Sequence, residues 1–203
     1  MPRRPDLARR AQLASAAFDV LRTRGIQTSM RELADALGIK RPTLYFYFAD
    51  QGEVFEAVLD QVSQALTETV MARVREHAHP VDRLRAMIDA TLAFHRERPQ
   101  LIGGLFQLWA LGGHDGNAVI ERERRGVLAV REALVAELRA GIAQKEVKPC
   151  EPERIVDLVL AFIAGAAVHH VLGIARPDGT TEELAGRVLE PLRVSRRRKR
   201  ARP

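Results

Sequence analysis

TSMRELADALGIKRPTLYFYF, running from Thr28 to Phe48, is the stretch on which the reading of this chain turns. Ser29 followed three residues later by Glu32 makes a capping box, in which a hydroxyl and a carboxylate satisfy the free N–H groups at the start of a helix. Met30, Leu33, Ala34 and Leu37 then recur at helical spacing and Gly38 closes the segment, so the pattern predicts a helix over about 29–37. Pro42, tolerated in a first helical turn, opens a second short helix expected over about 41–47. Two short helices around the turn Leu37-Gly38-Ile39-Lys40 make a helix-turn-helix arrangement.

Working outward, Leu7, Ala11, Ala14, Phe18 and Leu21 form one face of a preceding helix, about 6–24, that Gly25 should end. Asp50 is placed to cap the next helix, about 51–77, whose apolar set is Val54, Phe55, Val58, Leu59, Val62, Leu66 and Val70. Pro80 marks a break before a helix carrying Val81, Leu84, Ile88, Leu92 and His95, and another is expected over 101–111. A long helix over about 118–144 should turn Leu128, Val135, Leu138 and Ile142 inward. The most apolar segment, 153–173, holds Ile155, Leu158, Val159, Phe162, Ile163, Ala166 and Leu172 on more than one face, which predicts burial on several sides. Turn chemistry at 177–180, a last helix over 181–192 and a basic tail at 196–203 complete the chain. No alternation of period two suggests a strand. The expected fold is all-α with about nine helices: a trihelical domain over 1–50, a helical domain over 51–195, and the tail 196–203.

Charge is divided in the same way. Residues 1–48 carry nine Lys/Arg against four Asp/Glu, the tail carries six basic residues without an acid, and the stretch between is net acidic, within a total of +6. Basic ends on an acidic middle fit a chain of which one region meets a polyanion, because neutralising phosphates releases counterions. Solvated ends are the alternative. A single cysteine, Cys150, excludes an internal disulfide. No Ser, Cys or Lys stands in a nucleophile motif, no glycine-rich phosphate loop is present, and the six histidines have no spacing typical of metal ligands. Neither an enzyme nor a metal or cofactor protein is indicated. With no apolar signal-peptide core behind Met1, the chain is expected to be cytoplasmic and to engage no membrane.

The run Thr28-Ser-Met-Arg-Glu-Leu-Ala34, Leu37-Gly-Ile39 and Pro42-Thr-Leu-Tyr-Phe-Tyr-Phe48 resembles the signature of the TetR family of one-component transcriptional regulators over about 50 residues. The resemblance implies a recognition helix in the major groove of operator DNA. Arg41, Pro42 and Thr43 would meet base edges, with Lys40 just outside. Arg41 is the candidate for direct readout of a guanine. The resemblance places Tyr45 at the DNA surface and Tyr47 on a phosphate, with Leu44 and Phe48 packed against the two preceding helices; an aromatic lid on the small core is the other reading of Tyr45 and Tyr47. Thr28 and Ser29 offer hydroxyls and N–H groups to a phosphate, or act as caps alone. Two departures from the family pattern stand out: Lys40 replaces a serine, and Gln51 precedes Gly52 where the family has a lysine, giving Gln51 a weaker phosphate contact. Arg3, Arg4, Arg9 and Arg10 could form an arm on the DNA or remain solvated.

For the remainder, the resemblance implies a homodimer formed by the helices 153–173 and 181–192 of two protomers, with Ala161, Gly165, Ala166, His169 and Leu189 as interface candidates. Packing within the subunit is the alternative. A pocket for a small-molecule effector would draw on Phe94, Phe106, Trp109, Phe162 and His170, each also a plausible core residue. The mechanism implied is a repressor on a palindromic operator, released when ligand tilts the helix 51–77. The rival readings are an effector-independent DNA-binding protein and a helical protein-interaction module.

Overall fold

The computed structural model describes residues 6–25, 27–98, 117–174 and 179–194. The expected helix over 101–111, Phe106, Trp109, the arm residues Arg3 and Arg4, and the basic tail lie outside the described residues. Among the described residues there is no strand, and the elements are helices α1 (Leu7–Arg24), α2 (Met30–Ala36), α3 (Arg41–Tyr47), α4 (Gln51–Val74), α5 (Pro80–Glu97), α6 (Asn117–Ala143), α7 (Pro152–Val171) and α8 (Thr180–Leu184). The last runs on through a π turn, Ala185–Leu189, and a 3-10 turn, Glu190–Leu192. The fold is all-α, as the periodicities require.

The described residues form two compact units, the first from 6–67 and 117–124, the second from 68–98 and 125–194. In the first, Asp6 caps α1 by accepting from the Ala8 N–H at 2.9 Å. The capping box at α2 forms as the spacing requires: Ser29 Oγ accepts from the Glu32 N–H, and Glu32 Oε2 accepts from the Ser29 N–H at 2.7 Å. The Ser29 hydroxyl, which also donates to Glu32 Oε2, and then the Ser29 N–H hold the Glu32 carboxyl below its ordinary range. Gly38, at φ +65°, ends α2 in the left-handed conformation that lets the Ile39 N–H reach back to the Ala34 carbonyl. The core of this unit joins Leu13, Ala14, Ala17, Phe18 and Leu21 of α1 to Met30, Leu33 and Ala34 of α2, Leu44 of α3, Phe48, and Val54, Ala57 and Val58 of α4. Because the start of α4 contributes to that core, the unit extends past residue 50. The buried face of α1 is rotated from the expected one: Leu13 and Ala17 belong to it, whereas Leu7 in the first turn is 80% exposed.

In the second unit Pro80 opens α5 rather than merely preceding it, and His79 Nδ1 caps the helix by accepting from the Val81 N–H. The core brings together Val81, Leu84, Met87, Ile88 and Leu92 of α5, Val135 and Leu138 of α6, Val147 in the turn that follows it, Val156, Val159 and Ala166 of α7, and Ala185 and Leu189 beyond α8. Leu128, expected inside, is exposed. The segment 190–194 is clasped to the turn after α6: the Lys148 N–H donates to the Leu192 carbonyl, the Val194 N–H to the Glu146 carbonyl, and Arg193 grips both oxygens of Asp82. The Arg193 guanidinium accordingly holds the Asp82 carboxyl below the usual carboxylate range. The segment 153–173 departs most from expectation, since α7 buries only one face and leaves Leu158 and Leu172 53% and 65% exposed.

Gly141 of α6 makes a close approach that no other residue fits, because a Cβ there would lie 2.8 Å from Val147 Cγ2 and 2.9 Å from Pro80 Cγ. Gly126, on the same helix, has open space around it. Thermal unfolding should therefore separate two identical substitutions: Gly141→Ala is expected to lose about 1–3 kcal/mol through overpacking, whereas Gly126→Ala should gain about 0.5–1 kcal/mol in helix propensity. Equal shifts of the two melting temperatures would contradict the close packing at Gly141.

Candidate nucleic-acid interface

The helix α3 has two sides with different chemistry. Leu44 and Phe48, one helical turn apart, are completely buried among α1, α2 and α4, which fixes the opposite side toward solvent. At the start of the helix stand Lys40, Arg41, Pro42 and Thr43, all exposed, and beyond Leu44 come Tyr45 and Phe46 at 52% and 47% exposure. Lys40 is the N-cap residue and offers no side-chain cap, so its ammonium is directed to solvent. An exposed cation pair at the first turn of a short helix, with two exposed aromatic rings a turn later, can meet phosphates and the edges of stacked bases together.

Tyr47 lies on the border between the two sides. Its ring is half-buried against the core and meets Phe46 edge-on at 5.1 Å between centroids. The ring thus lies partly over the small core while part of it stays open to solvent. Phe46 was not singled out by the sequence reading, although Leu44 and Phe48 as the buried pair require the residue between them to point outward.

The supporting residues are arranged differently from the resemblance. Thr28 is buried and its hydroxyl donates to the Gly25 carbonyl at 2.5 Å, so that hydroxyl closes the turn before α2. Ser29 is exposed, with its hydroxyl engaged in the capping box. Gln51 is half-buried and its amide Nε2 donates to the Thr28 carbonyl at 3.1 Å, stitching the start of α4 to the approach of α2. Arg10, read as a possible arm residue, instead reaches the Tyr47 carbonyl through Nε at 3.2 Å.

The remaining candidate residues sit in the second unit. Phe94 is buried under the Arg98 guanidinium, whose carbon lies 4.2 Å from the ring centroid, and Phe162 is half-buried against the core. His170 is half-buried with its Nε2 shielded and lacking a hydrogen-bond partner; His95 on α5, missed as a site residue, has an equally orphaned Nδ1. Burial, and secondly the neighbouring His170, push the His95 imidazole below its ordinary pKa and toward the neutral form. Of the proposed interface residues, Ala161, Gly165 and His169 are exposed. Ala166 and Leu189 are corrected: both belong to the subunit's own core, and a side chain with 7% or 0% exposure has little or no surface to give a partner. No group of three or more His, Cys, Asp or Glu able to hold a metal occurs among the described residues.

Comparison with known proteins matches residues 13–58 to the model of bacterial regulatory proteins of the tetR family, and residues 80–193 to the C-terminal domain of BetI-type transcriptional repressors. The HTH-type transcriptional activator FasR of Mycolicibacterium smegmatis is 36% identical over 93 residues, covering 45% of this chain and 42% of that protein. The nucleoid occlusion factor SlmA of Haemophilus ducreyi is 28% identical over 101 residues, covering 49% of this chain and 50% of that protein. In these matches the chain spans about half the length of the curated relatives or less. Among solved structures, a TetR transcription regulator from Haloarcula marismortui superposes with a TM-score of 0.77 at 20% identity, covering 92% of this chain and all of that one. AibR in complex with isovaleryl coenzyme A and operator DNA superposes with a TM-score of 0.60 at 21% identity, covering 90% and 97%. The two family matches together span both the helix-turn-helix and most of the second unit, and the chain belongs to the TetR family of DNA-binding transcriptional regulators, which are not enzymes.

Proposed function

We propose that the protein is a homodimeric repressor that occupies a palindromic operator through α3 and is released by a small-molecule effector. The observation that carries this reading is that α3 is anchored by the fully buried Leu44 and Phe48 while Lys40, Arg41 and Thr43 at its start, and Tyr45 and Phe46 after them, are exposed. Arg41 has the reach and the paired donors to read a guanine, and Lys40 and Tyr47 supply sequence-independent contacts to phosphates. Repression then follows from occupancy of the operator.

Dimerisation is supported by α7. Leu158, Ala161, Gly165, Val168 and Leu172 are all exposed, and their alternating spacing of three and four is that of a helix–helix seam. A Cβ at Gly165 would meet nothing, so the backbone there is open to a second helix. By length and composition Pro152–Val171 could cross a membrane. Its other face nevertheless carries Val156, Val159 and Ala166 into the core, and Arg131 bonds both oxygens of Asp157 on it. A second copy of the chain fits that one-sided seam, and two copies present two recognition helices to half-sites roughly 34–36 Å apart.

Effector binding is supported by the two orphaned imidazole nitrogens of His95 and His170, with the Phe94 ring edge-on to His95, since buried polar atoms without partners are costly unless something visits them. A ligand with an apolar body and one polar end suits that combination, and the acyl thioester bound by AibR is of this kind. Ligand would favour a state in which α4, which begins in the first unit and ends in the second, no longer supports the operator-bound position of α3.

Selection of bound duplexes from a random pool should enrich a two-fold motif. On it, Arg41→Ala should cost about 1–3 kcal/mol and relax one position per half-site, while Tyr47→Phe weakens all sequences alike. The same loss for both variants on every sequence would remove the base-reading role of Arg41. In sedimentation, Leu158→Glu should convert a dimer to a folded monomer with little operator affinity; an unchanged dimer would place the interface elsewhere. A panel of acyl-CoA thioesters, isovaleryl-CoA included, should raise the melting temperature and release the operator, and His170→Ala should abolish both effects. Binding with no change in operator affinity would favour regulation without an effector.

A further inference from the structure

One guanidinium joins four parts of the DNA-binding unit. Arg10 of α1 donates through Nε to the Tyr47 carbonyl at 3.2 Å, and its guanidinium carbon lies 4.8 Å from the centroid of the buried Phe48 ring. A terminal nitrogen stands 3.8 Å from Glu53 Oε2 in the first turn of α4, and that same oxygen accepts the Ala49 N–H at 3.1 Å. The Tyr47 carbonyl is one of the C-terminal carbonyls of α3 that no later turn can satisfy. Arg10 therefore caps α3 from outside the helix, stacks on the ring that anchors it, and ties both to α4.

The chemistry of the side chain suits this role. A planar guanidinium can donate in one direction, face an aromatic ring and approach a carboxylate in another, whereas an ammonium is a point charge without a face. The Arg10 side chain is 29% exposed, with its Nε donor bonded and a terminal nitrogen ion-paired within the unit, unlike an arm extended along DNA. We propose that Arg10 is a positioning residue for operator recognition: it fixes the angle at which α3 presents its exposed side, and so governs discrimination between sequences rather than affinity for phosphate. Phosphate attraction tolerates small rotations of a seven-residue helix, but hydrogen bonds to base edges do not.

This inference rests on α3 reading bases, and the experiment separates the two ideas. Affinities of the wild-type chain, Arg10→Ala and Arg10→Lys are measured for a selected operator and for a random duplex across a salt series, with melting temperatures taken in parallel. The readout is the ratio of the two affinities, which does not change when a variant merely has a smaller folded fraction. Arg10→Ala is expected to lower that ratio about tenfold, with an unchanged salt slope. Arg10→Lys should lower it similarly despite keeping the charge, and it carries the test alone if Arg10→Ala does not fold. The proposal is overturned if Arg10→Lys restores wild-type behaviour while Arg10→Ala reduces the salt slope by about one, the behaviour of a phosphate contact. An unchanged ratio in both variants overturns it as well. A wild-type chain with no preference for any sequence would instead remove base reading by α3.

Discussion

A helix of seven residues does not hold itself together in water, because nucleation costs more than its few hydrogen bonds return. The burial of Leu44 and Phe48 is what makes α3 an object with a fixed orientation, and the arrangement of the DNA-binding unit depends on it. Both side chains enter a core assembled from α1, α2 and the start of α4, so the exposed side of α3 is set by its buried side. The capping box at Ser29 and the turn at Gly38 serve the same end, delivering α2 at an angle that leaves a slot for Leu44. Gln51 and Arg10 then lock the corners where the helices meet.

This dependence explains why so much of the helix-turn-helix was legible in the sequence. Caps, turn glycine and apolar spacing are local signals, and all of them fall within 21 residues that fold locally. What was not legible is non-local. Arg10 and Tyr47 are 37 positions apart and no periodicity links them. The inward turn of the Thr28 hydroxyl and the engagement of Gln51 with the Thr28 carbonyl depend on where the ends of α2 and α4 come to lie. Phe46 is the exception, since the pair Leu44 and Phe48 already implied its exposure.

In the second unit, hydropathy marked α7 as the most apolar helix and fixed its ends to within a residue or two. It could not say whether the apolar faces meet this chain or another one, because burial within a subunit and burial between subunits select the same residues. Ala166 and Leu189 lie in this chain's own core, whereas Ala161 and Gly165 are exposed in the single chain. The orphaned nitrogens of His95 and His170 were invisible for a related reason: one helix position says nothing about what the facing helix brings opposite it.

The clasp between Arg193 and Asp82 spans 111 positions and also bears on the order in which the protein is made. Among the described residues, the buried cluster of the first unit runs from Leu13 to Val58, whereas that of the second runs from Val81 to Leu189 and is clasped by a side chain at 193. On a ribosome, where packing proceeds from the N-terminal side as chain emerges, the buried residues around α3 emerge well before those that close the second unit. On the dimer proposed above, pairing of subunits then comes last, and a newly made chain passes through a stage in which α3 is already seated on its core while the second unit is still unclosed.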